Sequence, residues 1–104
     1  MAWMILIAAG FLEIGWAYGL KHSEGLTRPY PTVLTLAAMA ASMWLLAVAV
    51  RTLPLGTAYA VWTGIGTVGT ALVGIAVLGE PAGILRLACI ALILAGIAGL
   101  KAMS

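Results

Sequence analysis

Four long apolar runs separated by three short breaks occupy almost the whole chain: residues 2–20, 31–50, 56–78 and 84–100. Each is close to the ~20 residues that cross a ~30 Å hydrocarbon core as an α-helix. The breaks hold helix-ending residues. The first, KHSEGLTRPYP, carries Gly25, Pro29 and Pro31; RTLPL carries Pro54; GEPAG carries two glycines around Pro81. Proline cannot continue a helix and glycine ends one readily. The pattern predicts an all-α integral membrane protein: one domain over residues 1–104 with four transmembrane helices. The short second break makes helices 2 and 3 antiparallel neighbours.

Composition removes the soluble alternative. The chain is 64% hydrophobic and 8% charged, whereas a soluble domain carries about 25% charged residues. A cleavable leader is not expected at the N-terminus, which lacks a basic start and a small-residue cleavage site in a polar context. The five basic residues are scattered, so no nucleic-acid partner is expected. Cys89 stands alone and reads as a small packing residue. His22 lies in a loop with no second ligand at a useful spacing, so no metal is expected. No nucleophile–base pair or cofactor motif is present, and neither an enzyme nor a cofactor is expected.

Within this apolar chain one residue is out of place. Glu13 lies mid-helix in AGFLEIGWAYGL, with no charged neighbour before Lys21. Insertion scales put an acidic residue at a helix centre at about +2.5 to +3.5 kcal/mol. Either Glu13 only hydrogen-bonds another helix, or it binds a cation or carries a proton; an intramembrane ionisable residue points to the second. At 3.6-residue spacing Leu6, Ala9, Gly10, Glu13, Trp16, Ala17 and Leu20 share its face. Trp3, near the helix end, reads as an interfacial anchor. Thr35, Ala38, Met39, Ser42, Leu45 and Leu46 share a face of helix 2. There Ser42 lies at the depth of Glu13, and either bonds back to its own helix or serves the site. Trp44 points elsewhere, to lipid or a neighbouring helix.

Helix 3 carries Tyr59, Trp62, Thr63 and Gly66 along one stripe. Its Gly64, Gly66 and Gly69 spell G-x-G-x-x-G, which requires a strand before it and an opening helix after it to hold a dinucleotide. Inside an apolar span these glycines instead mark a kink point, each weakening the helix by about 1 kcal/mol relative to alanine. Helix 4 has no acid, hydroxyl or aromatic residue, but Ala88, Ala91, Ala95, Gly96 and Gly99 form a small-residue surface suited to helix association. Four thin helices rich in alanine and glycine cannot enclose both a polar cavity and a closed core, so self-association is expected. With four spans, Arg51 and Lys101 fall on one side, and Lys21, Arg28 and Arg86 on the other. That balance gives no positive-inside preference, and a chain so balanced can insert both ways round. Two oppositely inserted copies would recreate the inverted symmetry that many transporters carry as internal repeats.

The motifs GFLEIGWAYGLKHSEGLTR, RTLPLGTAYAVWTGIGTVGTALVG and GIAGLKAMS resemble the small multidrug resistance family, and within it the guanidinium-exporting branch. The resemblance covers essentially the whole chain. It implies an antiparallel, dual-topology homodimer of eight helices in the bacterial inner membrane, exporting a guanidinium-type cation in exchange for protons. The family's membrane-buried glutamate matches Glu13, and its binding-site positions match Gly10, Trp16, Ser42, Tyr59 and Trp62. One departure is IGWAY, where β-branched residues are expected around Trp16; it bears on the width of the pocket. Ser42 and Trp16 are expected to hold Glu13 by hydrogen bonds, with Tyr59 a further donor. Two other readings compete: an exporter of quaternary ammonium compounds, and an accessory membrane subunit in which Glu13 only pairs with a partner helix.

Overall fold

A computed structural model describes residues 1–103 and contains four α-helices: α1 (Ala2–His22), α2 (Pro29–Ala49), α3 (Leu55–Ala76) and α4 (Ile84–Met103). All four are long and apolar enough to cross a membrane. A helix of 21 residues, the length of α1, spans about 31 Å.

The helix ends differ from the sequence expectation, each for a local reason. Helix α1 continues two residues beyond Leu20, taking in Lys21 and His22; the Lys21 charge suits a helix C-terminus. Ser23 then closes the helix. Its Oγ donates to the Leu20 carbonyl at 2.8 Å and accepts the Leu26 N–H at 3.0 Å. Between those contacts Glu24, Gly25 and Leu26 all take positive φ (50°, 75° and 66°), reversing the chain within three residues. Helix α2 begins at Pro29 rather than Pro31, because its first N–H groups need no intrahelical partner and proline loses nothing there. Helix α3 stops at Ala76, two residues before Leu78. The Leu78 and Glu80 N–H groups both return to the Gly74 carbonyl, at 3.2 and 3.0 Å. Helix α4 extends three residues beyond Leu100.

Helix α1 is the centre of the arrangement. It packs against α2 and α3, α2 barely touches α3, and α4 packs mainly on α3. The molecule measures 41 × 35 × 17 Å, so it is only about one and a half helix diameters thick. The buried core is correspondingly small: Leu6, Ala9, Ala49, Ala58, Val61 and Trp62, with Leu45, Ile65 and others packed against it. Trp3 belongs to this packing and is half-buried, with Lys101 Nζ 4.9 Å above its ring. It therefore joins the start of α1 to the end of α4. Trp44 is 67% exposed, on the outward face of α2.

Helix α3 is continuous across Gly64, Gly66 and Gly69. All three give clearance to a neighbouring helix. A Cβ on Gly64 would lie 2.7 Å from Ile97 Cδ1 of α4, one on Gly66 would collide with the Glu13 carboxylate, and one on Gly69 with Ile14. Helix α4 meets α3 through Ile90, Ile93 and Ile97, while Ala88, Ala91, Ala95, Gly96 and Gly99 are exposed.

Candidate functional site

The middle of α1 divides into two turns of different character. At the lower turn, Gly10 is buried, and a Cβ there would sit 2.7 Å from Ile65 Cγ2. Beside it the Ser42 hydroxyl donates to the Ala9 carbonyl at 2.7 Å and accepts Trp62 Nε1–H at 3.0 Å. Ser42 thus bonds neither its own helix nor Glu13. Its one proton is committed to α1 backbone, so the expected Ser42–Glu13 bond is not formed here. The network instead ties α1, α2 and α3 together at one level.

One turn on, Glu13 lies over Gly66. Among the described residues its buried Oε1 has no hydrogen-bond partner, and neither has the buried Nε1 of Trp16. The expected Trp16–Glu13 bond is therefore absent too. An unpaired polar group costs a few kcal/mol away from water, and the pair leaves one acceptor and one donor open. Both residues line a cavity of about 550 Å³ between α1 and α3, together with Thr67, Thr70, Gly74, Lys21 and Glu80.

The structure thus brings Glu13, Trp16 and Gly66 into one cavity and sets Ser42 and Trp62 in the closed layer below it. The Tyr59 ring packs at a tilt against Trp62, with centroids 5.5 Å apart, yet is 54% exposed. Thr63 is also exposed. These two face outward from the single chain and do not reach the cavity. Thr70, Gly74 and Glu80 were not among the residues expected at the site. The first two follow Gly66 at four-residue steps, a signal already in the sequence; Glu80 had none, since only the turn at Gly79 carries it back over α3. Among the described residues no group of three or more His, Cys, Asp or Glu side chains is placed to hold a metal ion. Cys89 is an exposed thiol on α4, and His22 packs edge-on against Tyr18 at 4.6 Å.

Four membrane-length helices define a multi-pass membrane protein, and two of them hold between them a cavity lined by a carboxylate. A sequence profile described as Small Multidrug Resistance protein matches residues 1–93. The chain belongs to that family. It is 61% identical over 104 residues to a protein named guanidinium exporter from Yersinia pseudotuberculosis, covering 100% of both chains. To the guanidinium exporter of Escherichia coli strain K12 it is 58% identical over 101 residues, 97% of this chain and 96% of the relative. To that of Citrobacter freundii it is 56% identical over the same shares.

Proposed function

We propose that this protein exports guanidinium across the bacterial inner membrane in exchange for protons, as an antiparallel homodimer working by alternating access. The observation that carries the reading is the buried Glu13 Oε1 without a partner at the floor of the cavity. Such an oxygen needs a proton on it or a donor against it. Guanidinium is planar, permanently charged at neutral pH and rich in N–H groups, so it can bond a carboxylate bidentately. A proton and guanidinium compete for the same oxygens, and mutually exclusive occupancy of one alternating site gives antiport. The names of the 56–61% identical relatives support the choice of guanidinium.

The dimer is supported by what the single chain leaves uncovered: a slab 17 Å thick, an outward small-residue stripe on α4, and outward Tyr59 and Thr63. Two copies packed through α4 place Glu13 from each in a shared cavity, with Tyr59 and Thr63 facing the second copy. Gly10, Trp16, Ser42 and Trp62 shape and stiffen that site, and Trp62 offers a cation–π face. Differences in the bend of α3 at Gly64, Gly66 and Gly69, exchanged between the two copies, switch the open side.

Purified protein in liposomes on a solid-supported membrane tests the reading. Perfused guanidinium should give a current that depends on the proton gradient. A current with tetramethylammonium and none with guanidinium moves the protein to quaternary ammonium export. No current with either cation, and no proton release when guanidinium is added to the protein in detergent, leaves the accessory-subunit reading.

A further inference from the structure

The cavity has a second carboxylate, and it stands at the opposite end from Glu13. Glu80 lies outside the helices, yet it lines the same space. Its position is built. Gly79 takes φ 72°, a conformation that favours glycine, and turns the chain back. The Glu80 N–H then bonds the Gly74 carbonyl at 3.0 Å, and its carboxylate settles over Gly74, where a Cβ would collide with it. Gly66 makes room for Glu13 in the same way. Eight residues of helix separate the two glycines, about 12 Å of axial rise. One face of α3 therefore carries two carboxylates, one at mid-depth and one at the mouth.

The surroundings of the mouth add to its charge. Helices α1 and α3 both end there, as Lys21 and Glu80 in one lining show, so both present the partially negative end of the helix dipole. Lys21 on the α1 wall opposes this. His22, Glu24, Arg28 and Arg86 lie at the same end of the helices but do not line the cavity.

We infer that Glu80 is an outer docking carboxylate for the transported cation, collecting it at the mouth and handing it down the α3 face past Thr70 to Glu13, with Lys21 setting the opposing charge. This rests on the cavity being the path of a guanidinium-type cation. The consequence is a charge ladder. With Glu80→Gln the formal charge of the Lys21–Glu80 pair is +1, in the native protein it is zero, and with Lys21→Gln it is −1.

The test is guanidinium transport by the reconstituted full-length protein at low ionic strength. The KM should rise about three- to tenfold in Glu80→Gln and fall by a similar factor in Lys21→Gln, as expected for one charge several ångströms from the cation in a wet cleft. The double variant and Glu80→Asp should both lie near the native value. Saturated turnover should be preserved in all. The differences should collapse in 1 M sodium chloride, where the Debye length is about 3 Å. A purely structural role for Glu80 predicts a loss that ignores salt and that Lys21→Gln does not offset. That result, or an unchanged KM in Glu80→Gln, overturns the inference while leaving the Glu13 site intact. Absence of guanidinium transport by the native protein would overturn both.

Discussion

Two adjacent turns of α1 differ in how their polar groups are satisfied. Around Ala9 the polar groups are satisfied and the side chains buried: Ser42 bridges the Ala9 carbonyl and the Trp62 indole, with Leu6, Ala58 and Val61 packed around them. Around Glu13 and Trp16, one turn later, a buried oxygen and a buried N–H have no partners among the described residues, on side chains that line the cavity. Helices α1 and α3 form both regions, and α2 joins them only at the lower one. The lower one fixes their spacing so that the upper one can stay unsatisfied. In a membrane interior no bulk water rescues an unpaired group, so such vacancies persist only where the neighbouring layer holds the helices apart or where a ligand or proton fills them.

The largest expected effect comes from removing the charge of the upper turn. Glu13→Gln should reduce guanidinium current to the level of protein-free liposomes, while circular dichroism stays helical and the protein elutes as the native one does. A retained proton-driven current would break the division between the two turns at once. Next comes Gly66→Ala. The added methyl collides with the Glu13 carboxylate, and overpacking typically costs about 1–3 kcal/mol. Guanidinium affinity should fall about tenfold or more, read by tryptophan fluorescence in detergent. Gly56→Ala meets nothing within 4 Å and should bind as the native protein does. Equal affinities for the two variants would show that the carboxylate does not rest over Gly66 when the cation binds.

The sequence reveals these two regions unequally. Four spans and a mid-helix acid follow from hydropathy and charge alone, because a run of ~20 apolar residues has few other uses and Glu13 is conspicuous within one. Helical spacing also puts Glu13 and Trp16 on one face. What spacing cannot give is which of several nearby groups a hydroxyl chooses. Ser42 lies at the depth of Glu13 by residue count, but its proton goes to Ala9 one turn earlier, because that carbonyl is within 2.7 Å. The α3 glycines likewise read as a kink from composition; their fitting to Ile97, Glu13 and Ile14 depends on helix rotation, which hydropathy and spacing do not fix. Glu80 escaped for a third reason: its place depends on one backbone reversal at Gly79.

The smallest expected effect makes the sharpest comparison, since it uses the same substitution in both turns. Trp62→Phe removes an N–H bonded to Ser42, and a hydrogen bond of this kind contributes about 0.5–1.5 kcal/mol net. Ser42→Ala goes further, leaving both the Ala9 carbonyl and the Trp62 N–H unpaired, at about 1–3 kcal/mol. Trp16→Phe removes a buried N–H that has no partner among the described residues, so unfolding in mixed micelles should find it at least as stable as Trp62→Phe, with no hydrogen bond lost. Its guanidinium affinity should nevertheless change, because the indole lines the cavity. Trp62→Phe should show the reverse balance, with stability moving more than affinity. If Trp16→Phe destabilises as much as Trp62→Phe, the upper turn contributes to the fold as the lower one does, and the open donor beside Glu13 is no longer a mark of the binding site.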